Sequence, residues 1–305
     1  LVALSGALFL LLFGLTRGNE EGWTSPVIVA SFAAGAALLP VFVVIERRMR
    51  FPLVDLTLFR SWPFVMACLS AGLFSAAVFG SQPFTSLFMQ NYLGFSPLKG
   101  GLAFIPATAL VALLMPVSGI LGQRLGRQVR LIIIAGSVSV AISFVYLLRL
   151  DTSSGYVDGL LPAFILRGLG IGLFMSATSF AVVSAMPVQK SGLASGTLTM
   201  ARNIGTSVGV AVFGAVFLQS VDANLPGQLE AAGVAPAEAA AYEAAAHHFV
   251  PAGKGEVREV TRGAVVDGFL AVSVVGLGVC ILAAGAGTAI RYRKPAAVTA
   301  PVPAT

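Results

Sequence analysis

Residues 119–130 read GILGQRLGRQVR, and three of those residues, Arg124, Arg127 and Arg130, fall within seven positions. The chain on either side is almost purely apolar. GGLAFIPATALVALLMPVS leads into the basic knot and LIIIAGSVSVAISFVYLL leads out of it. A run of about 20 apolar residues is what a helix needs to cross the hydrocarbon core of a bilayer. Two such runs joined by a short cationic turn describe a membrane hairpin whose elbow stays among the headgroups. Gly122 and Gly126 suit the elbow, because a residue without Cβ tolerates positive φ and lets helix ends approach closely. The arginines there have several uses open to them: capping helix C-termini, binding carboxylates across a cleft, touching lipid phosphate, or simply fixing topology.

The rest of the chain extends this pattern. Of 305 residues, 57% are hydrophobic and only 10% charged, where a soluble domain carries about 25% charged residues. That excludes an ordinary soluble fold. The net charge of +6 sits in short clusters between oily runs, which suits anionic headgroups. It forms no extended basic face with interleaved aromatics, so no nucleic-acid partner is expected. Cys68 and Cys280 both lie in apolar runs and suggest neither a disulfide framework nor a metal site. The chain opens at Leu1 inside an apolar run, so we read it as an excerpt of a longer protein.

Eight spans are expected, at roughly 1–16, 26–45, 63–86, 101–121, 131–149, 159–184, 198–220 and 264–290. Continuous rather than alternating runs argue for helices, and open sheet edges cannot sit in lipid. The positive-inside rule orients them. Arg47, Arg48, Arg50 and Arg60, then Arg124, Arg127 and Arg130, then Lys190, then Arg291, Arg293 and Lys294 follow the even-numbered spans. The opposite turns, GNEEGWTSP and LDTSSGYVDG, are acidic. The basic side is therefore read as cytoplasmic, with the C-terminal tail 291–305 on it. Segment 221–262 is expected as an extracytoplasmic loop carrying one short amphipathic helix near 235–248. His247 and His248 would point about 100° apart on that helix, which is poor geometry for a shared metal.

The spacing around the knot resembles the cytoplasmic signature loop of the major facilitator superfamily, G-x-x-x-[DE]-R-x-G-R-[RK], here Gly119, Gln123, Arg124, Gly126 and Arg127. Two departures stand out, since Gln123 replaces the usual acid and Gln128 a usual cation. ERRMRFPLVDLTLFRSWPF, SGLASGTLTMARNIGTSVGVAVFGAVF and VVDGFLAVSVVGLGV resemble the fourteen-span drug–proton antiporter branch of that superfamily. The resemblance implies an all-α membrane bundle. Residues 1–61 would hold two extra linker spans and a cytoplasmic loop, and 62–305 the C-terminal six-helix half, with an N-terminal six-helix half missing from this stretch. It implies a multi-pass plasma-membrane transporter, not an enzyme. The transporter would export amphipathic drugs or antibiotics in exchange for protons by alternating access, with lipids around it and no cofactor. The alternatives are an exporter of one endogenous metabolite or lipid, and a non-transporting scaffold if the fragment exists alone. A membrane enzyme would need convergent His, Asp or Glu in the spans, and both histidines lie in the long loop.

In that family the loop latches the two halves, so Gly119, Gln123, Arg124, Gly126 and Arg127 are candidate gating residues. A neutral Gln123 would make a weaker latch than an acid. The family's geometry puts 63–86 and 159–184 on the central cavity, and 101–121 and 198–220 at the interface between halves. The residues themselves add a stripe in 63–86, where Cys68, Gly72, Ser75, Phe79, Gln82 and Ser86 recur at spacings of three and four. A polar stripe in lipid faces protein or water, and helix packing by small residues is the competing reading. Pro83 should break or kink that helix.

Ser75, Phe79, Gln82, Arg167, Phe174 and Thr178 are thus candidate cavity residues, with Phe74 and Met175 as further apolar contacts. Arg167 lies about 12 Å below the outer surface by helix rise, and either binds anionic groups or snorkels outward. Arg202 is placed at the cytoplasmic interface, ready to meet an acid of the missing half. Asp267 is the one carboxylate within a span, a proton carrier, a partner for Arg167, or a structural charge favoured at a helix start. Gly168-x-x-x-Gly172 and Gly205-x-x-x-Gly209 permit close helix contact. A cysteine placed at position 123 should react with an impermeant maleimide from the cytoplasmic face alone. Labelling from outside the cell would invert the topology.

Overall fold

The computed structural model describes residues 2–22, 24–48, 56–125, 128–149, 155–184, 186 and 190–290. Every regular element among them is helical, as a chain must be when no water is present to satisfy its backbone. Helices α1 (Val2–Glu21) and α2 (Pro26–Arg48) form a hairpin. A short turn of helix, Leu56–Arg60, leads to α3 (Trp62–Gly80), α4 (Gln82–Leu87) and a π turn, Phe88–Tyr92. Then come α5 (Pro97–Ala103), α6 (Ile105–Leu125), α7 (Val129–Leu147), a π turn at Tyr156–Leu160 and α8 (Leu161–Ser184). The chain ends with α9 (Ser191–Ala231), α10 (Pro236–His247) and α11 (Glu256–Thr288).

Seven helical segments among the described residues are long and apolar enough to span a membrane. They match the expected spans from 26 onward. The eighth, at 1–16, coincides with α1, which contains a shorter apolar stretch, Ser5–Gly18, among the described residues.

Six of the spanning helices pack as two exchanged triplets, α3–α6–α7 and α8–α9–α11. The first helix of each triplet packs on the second of the other, α3 on α9 and α8 on α6. It also packs on the other's third, α3 on α11 and α8 on α7. Three consecutive spans reverse direction, so the triplets are inverted copies of one packing scheme. α6 sits at one edge with its far face bare, exposing Leu113, Met115, Val117 and Ile120. On the other flank, α1 leans on α9.

Small residues make the exchange possible. A Cβ on Gly205 would land on the Gly72 carbonyl group, 2.6 Å from its carbon, and one on Gly209 would lie 2.5 Å from the Ala76 oxygen. The equivalent α6–α8 crossing brings Gly168 onto Ala107, again 2.5 Å from a carbonyl oxygen. Both Gly-x-x-x-Gly pairs are therefore used inside the bundle. In lipid there is little hydrophobic drive between helices, so backbone contact of this kind carries the association.

Segment 221–262 contains the expected short helix as α10 and corrects the rest of its sequence reading, for the flanks are mostly helix rather than loop. α9 continues unbroken through Pro226 to Ala231, and its 41 residues rise about 60 Å, twice what the hydrocarbon core needs. Phe217, Val221, Leu225 and Leu229 recur every fourth residue and are all buried, against α10 and α11. Phe249 closes the cap with φ of 62° and stacks on Phe217 at 3.9 Å between ring centroids. His247 meets Asp222 at 2.6 Å rather than sharing a metal with His248. No group of three metal-ligating side chains occurs among the described residues.

Overpacking a tight contact costs about 1–3 kcal/mol. Gly205→Ala should therefore lower the melting temperature in detergent by several degrees. Gly214→Ala meets nothing nearer than a Phe84 ring atom at 3.5 Å and should be neutral or mildly stabilising. Equal melting temperatures for the two variants would contradict the packing described.

Candidate functional site

α3 ends where Pro83 predicts a break. A proline cannot donate to the carbonyl four residues earlier, and its ring crowds that carbonyl. The helix stops at Gly80, turns at Ser81 and restarts at Gln82. The Ser81 hydroxyl donates to the Ala77 carbonyl at 2.6 Å and also accepts a bond of 3.2 Å from an Arg167 Nη. Arg167, on α8, is 5% exposed, so it neither snorkels outward nor opens to an aqueous cavity in this structure. Its guanidinium carbon lies 4.9 Å from the centroid of Phe144 on α7, and the buried thiol of Cys280 on α11 is within electrostatic reach. Four helices thus converge on one cation.

The convergence contains no carboxylate. Asp267 is exposed, so the pairing of Asp267 with Arg167 considered from sequence does not occur here. A cation at this depth costs about 3 kcal/mol on insertion scales. A desolvated cation–π contact returns about 2 kcal/mol and a hydrogen bond about 1 kcal/mol. The guanidinium can rest here without a counter-ion, while keeping donors for an anion that enters.

The remaining candidates divide. Phe174 is fully buried and stacks on Phe74 at 3.8 Å with an interplanar angle of 4°, tying α8 to α3. Thr178 is buried and donates to the Phe174 carbonyl at 2.8 Å. Ser75 is buried with its hydroxyl unpartnered. The stripe that holds Cys68, Gly72 and Ser75 is packed against other helices, while Phe79 is half-buried and Gln82 exposed. The structure thus brings Arg167 to the α3 break, and leaves Gln82 exposed and Phe79 half-buried beside it.

Arg202 is half-buried and turned onto α8, donating to the Met175 carbonyl and the Ser179 hydroxyl, each at 3.1 Å. At the knot, Gly122 packs under the Phe180 ring at 3.2 Å from where a Cβ would be. Gln123 and Arg124 are exposed on the last turn of α6, and Gly119 has nothing within 4 Å of a Cβ position. Gly126, Arg127 and the tail 291–305 lie outside the described residues. Sequence reasoning missed Ser81 and Phe144 as partners of Arg167. A hydroxyl two residues before a mid-span proline was the signal for the first. For Phe144 no sequence signal distinguished it from other core rings.

Comparisons with known proteins agree with this architecture. A family model described as Major Facilitator Superfamily matches residues 1–210. The tetracenomycin C resistance and export protein of Streptomyces glaucescens is 32% identical over 327 residues, covering 100% of this chain and 59% of the relative. The multidrug resistance protein Stp of Mycobacterium tuberculosis is 32% identical, covering 73% of this chain and 41% of its own length. The quinolone resistance protein NorB of Staphylococcus aureus is 30% identical, covering 67% and 43% respectively. The chain therefore spans less than two thirds of the length of these relatives.

Replacing a buried charge by an apolar side chain of similar length is often neutral or stabilising. Arg167→Met should leave the melting temperature unchanged or raised while abolishing the activity of the complete protein. A large drop in melting temperature with activity retained would make Arg167 purely structural.

Proposed function

The chain belongs to the major facilitator superfamily, a family of membrane transporters, and on that premise we propose that it is the C-terminal portion of a fourteen-span exporter. In this reading residues 1–61 are the linker hairpin and its loop, and 62–305 form one six-helix half. The complete protein exports amphipathic drugs or antibiotics in exchange for protons, in the plasma membrane, with its C-terminus cytoplasmic. The observation that carries the reading is similarity along the whole chain to a protein named for tetracenomycin C resistance and export. The multidrug and quinolone names of the other relatives support the same class.

The physical mechanism follows from the exchanged triplets. Inverted triplets of this kind accompany substrate sites near the bilayer midplane and alternating access by rocking of one half against the other. The bare face of α6 is where a second half would seat. Arg167 at the α3 break supplies a cation for an anionic group of the substrate or for a carboxylate of the other half. Phe79 and Gln82 would meet the substrate nearer the outer end. Arg202 and Asp267 carry separate proposals, the first as a brace between α8 and α9 near the half-to-half contact, the second as a proton or ion-pair residue on the outer flank. Arg124, exposed at the end of α6, is free to reach an acid of the other half, with Gly119, Gln123, Gly126 and Arg127 shaping the loop. Because one relative's name gives a single compound, a dedicated exporter of one metabolite is the second reading.

The complete protein should lower the cellular level of an amphipathic dye, and a protonophore should abolish the effect. Efflux that survives collapse of the gradient would refute antiport. Arg124→Ala should cut efflux about tenfold, the loss of one charge-assisted hydrogen bond, and Gln123→Ala by much less. Matching, negligible effects would remove the loop from the mechanism.

A further inference from the structure

We propose that a cavity at the basic end of the bundle binds the headgroup of an anionic phospholipid, with Arg130 as its cation and Trp62 as its interfacial anchor. The cavity encloses about 640 Å³ and is lined by Trp62, Pro63, Arg130, Thr288 and Ala289. These residues come from three helices: the start of α3, the second position of α7 and the end of α11. None belongs to the transport residues above, and the inference needs only that the bundle spans a membrane. The transport reading supplies the leaflet, the cytoplasmic one.

Donors and rim are both suited to a lipid phosphate. An arginine offers five N–H groups in a fork that matches a phosphate, and a tryptophan offers its indole N–H. Neither side chain has a hydrogen-bond partner among the described residues. Thr288 donates to the Gly285 carbonyl at 2.6 Å and is a wall rather than a ligand. Trp62 is 64% exposed, and Phe59 and Leu131, close in sequence to Trp62 and Arg130 respectively, are 46% and 54% exposed. An exposed tryptophan at the end of a span sits at headgroup level, with acyl chains against the neighbouring apolar surface. A soluble phosphate would gain nothing from that rim. Arg60, exposed two residues before Trp62, adds positive charge at the same end, and the sequence runs on from Ile290 into Arg291, Arg293 and Lys294. Such a field favours a net negative headgroup over a zwitterionic one.

Native mass spectrometry of the complete protein in detergent tests this, with dioleoyl-phosphatidylglycerol and dioleoyl-phosphatidylcholine added in turn. The wild type should retain phosphatidylglycerol in preference to phosphatidylcholine. Arg130→Gln should weaken retention about fivefold, the effect of one cation at a membrane surface. Trp62→Ala should weaken it as well, Arg130→Lys should largely keep it, and Lys99→Gln, at the other end of the bundle, should not change it. Unchanged retention in Arg130→Gln, or equal retention of the two lipids, would overturn the proposal. Displacement of the lipid by millimolar inorganic phosphate would also overturn it, in favour of a soluble-phosphate site. Efflux plays no part in this readout, so failure of the transport reading and failure of the lipid site remain separable.

Discussion

Backbone approach between helices is the constraint on which the bundle rests. Surrounded by hydrocarbon, a helix gains little by burying a leucine against a neighbour, because lipid would serve that leucine as well. What lipid cannot supply is direct contact between two backbones. Gly72 with Gly205, Ala76 with Gly209, and Ala107 with Gly168 supply it. These contacts occur at the two symmetry-related crossings, α3 on α9 and α6 on α8. A bulky side chain at any of these crossings would separate two helices and, through the exchange, loosen both triplets. The small residues that dilute the hydrophobic runs are therefore the ones that fix the fold.

This explains which parts of the architecture were legible in the sequence. Span positions depend on the length and apolarity of continuous runs, both local properties, and the seven spanning segments fall where those runs lie. The break at Pro83 was legible for the same reason, since a missing N–H acts on its own helix. The cap was read only in part: α10 lies where a short helix was expected, but the Ala- and Glu-rich composition around it looks like a solvated loop and hides the continuation of α9. The heptad-like spacing of Phe217, Val221, Leu225 and Leu229 was the countersignal. It marks a buried face that continues past the membrane boundary, and composition averages conceal it.

The candidate site was legible in its charges and not in its partners. Arg167 stood out because a cation within a span is costly wherever it points. Its direction depends on Ser81 and Phe144, which are 86 and 23 residues away in sequence, and no local pattern brings two other helices to one point. The polar stripe of α3 shows the same limit. Its periodicity established a common face, and only the position of α9 showed that Gly72 and its neighbours face a helix.

The outer end of α3 connects these features. Beyond the break at Ser81, the chain continues through α4 and the π turn, and both are tied to the cap. Asn91 donates to the His248 carbonyl at 2.6 Å, an Arg262 Nη meets the Tyr92 hydroxyl at 3.3 Å, and Phe88 stacks on Phe269 at 4.6 Å. Below the break, α3 is held on α9 by glycine contacts and on α8 by the Phe74–Phe174 stack. The segment beyond the break is tied both to the cap, through Asn91, and to α11, through Tyr92 and Phe88, while the segment below it is held on α9 and α8. Arg167 bonds to the hydroxyl at the joint itself. Arg167 thus ties α8 to the joint, while both flanking segments keep their own anchors. The joint is therefore held from the side by one charged hydrogen bond, whereas the rest of α3 is held by the glycine crossings that hold the bundle together.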